Sequence, residues 1–240
     1  MPTNRFPLAA LVAVVVATFI SGAAALAYEV SWSRMLVVPL GNSSDATALV
    51  LASFMLGIAL GARALGGLAD RVHGPLKLYA AVEMLLGAYA LAMPHLVHQI
   101  GSLAWLSSAA VFGASCLLVV IPSFAMGATV PVLVRALSLI STDIRFRIGV
   151  VYGTNTIGAA VGAALAGFWA IPLLGLTQTS RLAALGSVLS GLLVLAVHRL
   201  TRRNVVLTQK PVSSNGDALP SRAVALVALA VVSVSGFAML

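Results

Sequence analysis

The sequence predicts an all-α protein built as a polytopic transmembrane helix bundle, and three observations predict it. Hydrophobic residues make up 60% of the 240 residues and charged residues only 8%, against about 25% charged in a typical soluble domain. Apolar windows of membrane-spanning length fall near 6–28, 45–66, 77–97, 103–134, 148–170 and 181–198, with a further run at 222–240. The basic residues segregate. With a cytoplasmic N-terminus, Arg5, Arg63, Arg71, Lys77, Arg135, Arg145, Arg147, Arg199, Arg202, Arg203, Lys210 and Arg222 fall inside, and only Arg34 and Arg181 outside. That is the cytoplasmic excess of Lys and Arg expected of inner-membrane proteins, and it holds only with six complete spans. It also accounts for the net charge of +8, with membrane lipid rather than nucleic acid as the partner. The expected location is the bacterial inner membrane.

The first run follows Arg5 and extends to Tyr28, longer than the ~7–15 apolar residues of a signal-peptide core. Tyr28-Glu29-Val30-Ser31-Trp32 follows it instead of a small-residue cleavage site, so it reads as a retained helix. Glu29 stands at its outer edge, either as an interfacial residue beside aromatic anchors or as an anion facing the entrance for a cationic solute. Trp32 and Trp105 suit the outer aromatic belt, and Trp169 approaches it from the fifth span.

The third run carries Glu83, about six residues past Lys77. A charge inside a span is costly and faces a partner or a wet cavity. Arg63, one turn in from the same side on the second span, is the natural partner for a structural ion pair. A solute or proton site is the other role open to Glu83. His95 and His98 at the outer end of this span lack a third ligand for a metal. The fourth run, 103–134, is 32 residues long, about 48 Å as a helix, and contains Pro122 and Pro131. Two forms are open to it: one steep, kinked helix, or a helix followed by a short interfacial helix.

In the fifth run Asn155 lies between Thr154 and Thr156. Its amide needs a partner in lipid, either a neighbouring helix or a solute. Gly158 and Gly162, with Gly167 nearby, form a small-residue face for close helix packing. The single cysteine, Cys116, reads as a packing residue. No cofactor, no metal site and no catalytic constellation is evident: no Ser/His dyad, no HExxH and no intramembrane Asp pair. After the sixth run, 201–221 is polar and turn-rich and reads as a cytoplasmic linker. The run at 222–240 reads as the start of a second repeat, broken off within a span. Its Ser235-Gly236-Phe237-Ala238-Met239-Leu240 matches Ser21-Gly22-Ala23-Ala24-Ala25-Leu26 at four of six positions.

Two resemblances extend this reading. Gly66-Gly67-Leu68-Ala69-Asp70-Arg71, followed by Gly74, resembles the major-facilitator loop motif between the second and third helices. Val72-His73-Gly74 departs from it, with one residue too many before Gly74 and one of two basic residues missing. The resemblance implies a gating or half-to-half contact, with Asp70 capping the next helix or meeting a helix dipole. Ser21–Arg34, Phe54–Gly61, Pro122–Pro131 and Tyr152–Gly162 together resemble the membrane-bound spermidine synthase-like family, facilitator-like membrane regions fused to an aminopropyltransferase-like domain. The resemblance implies a six-helix major-facilitator-like half plus the start of a seventh helix, with domains at 1–200, 201–221 and 222–240. The enzyme domain has no counterpart in these residues. The expected function is therefore an anchor or scaffold for an enzyme domain, or a subunit of a larger membrane complex. Its partners would be a second helical half or other membrane subunits. The alternative is half of a transporter for a small cationic, polyamine-like solute, with Glu29, Glu83 and Asn155 along its path.

Overall fold

The structure, a computed structural model, describes residues 8–72, 74–102, 107–138 and 144–205. Every element among them is helical: α1 (Leu8–Met35), the short α2 (Val37–Leu40), α3 (Ser44–Arg71), α4 (Pro75–Ser102), α5 (Ser108–Ser138), α6 (Ile144–Leu165), a π-helical turn (Ala166–Ala170) and α7 (Ile171–Val205). Five stretches are long and apolar enough to cross a membrane: Ala9–Leu40, Ser44–Ala69, Pro75–Ser102, Ser108–Leu137 and Ile148–Leu200. The chain is an integral membrane helix bundle. Of the linker expected at 201–221, residues 201–205 belong to α7 instead, because the helix runs on to Val205; residues 206–221 and the run at 222–240 lie outside the described residues, as do His73 and Trp105.

The last stretch is 53 residues long, about 80 Å as a straight helix against a ~30 Å hydrocarbon core. It does not run straight. Gly175 has φ 80° and ψ 170°, a conformation that glycine adopts without a Cβ penalty. Gly162 meets the backbone of Ala23, while Gly186 lies against Ile20 and Ala24. Residues 162 and 186 would stand about 36 Å apart on one rod, yet both touch the same turn of α1. The chain doubles back at Gly175.

Glycines set the closest approaches. At Gly22, Gly158 and Gly162 a Cβ would collide with the backbone of Asn155, Phe19 and Ala23, so α1 and α6 touch backbone to backbone. Gly61 and Gly127 do the same for α3 and α5, against Phe124 and Ile58. On α4, an added Cβ at Gly87 would sit 2.8 Å from Val188 Cγ2 of α7. Such contacts replace the hydrophobic driving force that lipid does not supply between helices. The expected role of Gly158 and Gly162 is met; Gly167 has nothing within 4 Å of an added Cβ and takes no part.

The fourth expected span is one helix from Ser108 to Ser138 with both prolines inside it, not a helix plus an interfacial helix. Pro122 has no N–H for the carbonyl of Leu118, and Tyr89 of α4 donates its hydroxyl to that carbonyl at 2.7 Å. Pro94 of α4 likewise deprives Ala90 of a helical donor, and Ser180 of α7 supplies one at 3.2 Å. Hydroxyls from neighbouring helices thus satisfy backbone groups that proline frees in the bilayer.

The expected loop after Gly66 is shorter than the sequence implies. α3 stays helical through Gly66, Gly67, Asp70 and Arg71, leaving only residues 72–74 between α3 and α4. Gly66 faces Pro131, 3.4 Å from its Cβ if a Cβ were added. Arg71 is exposed, and the carbonyl of Gly74 accepts from the N–H groups of Lys77 and Leu78 at 3.0 and 3.2 Å, opening α4.

Candidate functional site

One set of buried polar side chains converges where α1, α4 and α7 meet. On α1, Ser21, Ala25, Tyr28 and Trp32 follow one another at spacings of four, three and four, one stripe of a helix. On α4, Tyr79, Glu83, Leu86 and Ala90 do likewise. On α7 the stripe is Ser180, Ser187 and Ser190. The small serines let the aromatic rings and the carboxyl of the facing helices fill the space between.

The bonds run from helix to helix. Trp32 Nε1 donates to Ser180 Oγ at 3.0 Å, and Ser180 passes a hydrogen bond on to Ala90. Tyr28 OH donates to Ser187 Oγ at 3.1 Å. Tyr79 OH pairs with Ser190 Oγ at 2.7 Å, and Ser190 donates to the carbonyl of Ala17 at 2.9 Å. Trp32 is fully buried, stacked on Tyr28 with ring centroids 4.7 Å apart and on Phe54 at 6.4 Å. It is a core residue and not part of an outer belt, because its N–H finds a partner inside the bundle. Trp169 is 59% exposed.

Glu83 sits at the centre of this cluster, 1% exposed and about 12 Å along α4 from its first residue. Ser21 Oγ donates to Glu83 Oε1, and Oε2 has no hydrogen-bond partner. Beside it lies a cavity with about 10 Å³ open to the centre of a water-sized sphere, room for about one water. Its wall includes Ser21, Tyr28, Glu83, Thr129, Ser187 and Met126. Thr129 reaches it from α5 and donates its own hydroxyl to the carbonyl of Met126 at 2.8 Å.

The expected pair of Glu83 with Arg63 does not form. Glu83 is buried against α1 and α7, whereas Arg63 is exposed on α3. α3 packs along α5, at Gly57, Gly61 and Gly66. Equal depth in the membrane placed the two residues at one level, but not on facing sides of their helices. Glu29 and Asn155 are half-buried and neither lines the Glu83 cavity. Asn155 instead meets Gly22 at the contact of α1 with α6. The three residues of the expected solute path are therefore not brought together there. His95 and His98 are exposed, with His95 Nε2 2.8 Å from Gln99 Nε2, and no group of three His, Cys, Asp or Glu side chains clusters among the described residues.

The serine stripe of α7 and the tyrosines facing it escaped the sequence reading, although Ser180, Ser187 and Ser190, at spacings of seven and three, mark one polar face on an apolar helix. The class these features define is a helical membrane protein with a buried polar centre. No protein family, curated protein or solved structure matches the chain.

Proposed function

We propose that the chain is a six-span, facilitator-like helical half that serves as a membrane module, an anchor or scaffold for a second helical half or an enzyme domain. It does not conduct a solute through the Glu83 cavity. The six-span reading is supported by the reversal at Gly175 and by the helix partners. Counting α1, α3, α4, α5, α6 and α7 as spans one to six, one packs on five, two on four and three on six. If one and four, two and five, and three and six exchange by a two-fold axis, this set of pairs maps onto itself. That is the pattern of a three-plus-three inverted repeat. The sidedness of the basic residues supports a cytoplasmic N-terminus.

The observation that carries the scaffold reading is the size of the cavity. A space for one water admits no polyamine, and two of the hydroxyls around it, those of Ser21 and Tyr28, tie α1 to α4 and to α7. The transporter alternative draws on the unpaired carboxyl of Glu83, but that group is buried inside this half. Native mass spectrometry of the chain extracted from its own membranes, with spermidine uptake into proteoliposomes, tests the proposal. The expected result is a stoichiometric membrane or enzyme partner and no uptake by the chain alone. A solitary chain that concentrates spermidine contradicts it.

A further inference from the structure

We propose that the Glu83 cavity binds one dehydrated alkali-metal cation, sodium or potassium. Such a site is independent of the scaffold role. A hydroxyl has one proton to give and two lone pairs to offer. Ser21 gives its proton to Glu83 Oε1, Tyr28 gives its proton to Ser187, and Thr129 gives its proton to the carbonyl of Met126. What these three have left is lone pairs. The unpartnered Oε2 of a carboxyl 99% buried adds a fourth acceptor, and of the cavity's hydroxyls only that of Ser187 keeps a proton not already given in these three bonds.

The oxygens set among the apolar lining of Ala25, Leu86 and Met126 are acceptors, and they suit positive charge. A neutral filling must combine a water's two protons, a proton on Oε2 and that of Ser187 to serve the four oxygens. A cation has no such limit, and hard cations take oxygen ligands such as these. The charge is set by the wall as well. It holds one carboxyl and no basic side chain, which balances one positive charge. Calcium requires 6–8 oxygens and usually several carboxylates. The space admits one water-sized body, so the ion binds without its hydration shell. A buried carboxylate within a span normally faces a counter-charge, and Arg63 is not available to provide it.

The test uses the purified chain in detergent micelles at constant ionic strength, with NaCl or KCl replacing choline chloride stepwise. Ligand that binds only the folded state raises the unfolding midpoint with the logarithm of its concentration. The midpoint should rise with sodium or potassium and stay flat in choline. Glu83→Gln should abolish the rise, because the amide brings protons and no charge. Thr129→Val keeps the carboxyl and the shape but removes a ligand. It should require roughly tenfold more cation for the same rise, and it keeps the test decisive where Glu83→Gln does not fold. A midpoint indifferent to the choice among sodium, potassium and choline overturns the proposal. So does a Thr129→Val or Glu83→Gln protein that responds like the original.

Discussion

Ser180 Oγ donates to the carbonyl of Ala90, the carbonyl that Pro94 leaves without a helical donor. The same oxygen accepts from Trp32. One small hydroxyl thus repairs a proline defect in α4 and holds the largest side chain of α1. Ser180→Ala should lower stability by about 0.6–1.7 kcal/mol, the range for side-chain hydrogen bonds in membranes. In a Pro94→Ala background residue 94 regains an N–H for Ala90, and the cost of Ser180→Ala should fall by about half. A double-mutant cycle from unfolding in mixed micelles measures this; strictly additive losses would sever the two features.

The α1–α6 contact makes a sharper steric prediction. Gly162→Ala drives a methyl into the backbone of Ala23, which has no flexible end to yield. A loss of about 1–3 kcal/mol is expected, as for overpacking. Gly167→Ala, five residues on, meets nothing and should be stable to within about 0.5 kcal/mol. Equal effects in thermal denaturation would mean that α6 is not seated on α1 at these glycines.

Arg63 and Glu83 should be energetically independent. Arg63→Ala at an exposed position should change stability by less than about 0.5 kcal/mol, and the charge-swapped double variant should recover nothing beyond the sum of its parts. A coupling energy above about 1 kcal/mol in the cycle would return the two residues to one ion pair.

Much of the architecture is legible in the sequence, and the reasons are physical. Apolar length and the sidedness of Lys and Arg are properties of the chain against the bilayer, so spans appear without knowledge of neighbours. Helix ends are less legible. Asp70 and Arg71 look like loop, yet the helix carries them because backbone groups at the interface still gain from helical bonds. What depends on azimuth is hidden. The depth of Glu83 is readable, but which helix faces it is not, and so Arg63 displaced Ser21, Tyr28 and Ser187 as its expected neighbours. Trp32 misleads for a related reason, since an indole at a span's edge suits an interface until a buried acceptor such as Ser180 is known. Gly158 and Gly162 are found because small-residue spacing carries its own packing logic.

The chain doubles back at Gly175, so that α7 returns along α1 and α4 and closes the polar centre around Glu83. Single cysteines at Gln178 and Arg199, both exposed, in a background with Cys116 replaced by alanine, test it by labelling with a membrane-impermeant maleimide. Gln178→Cys in intact cells should label from outside, and Arg199→Cys only after the membrane is opened. Labelling of both from the same side would contradict the reversal and, with it, the enclosure of Glu83.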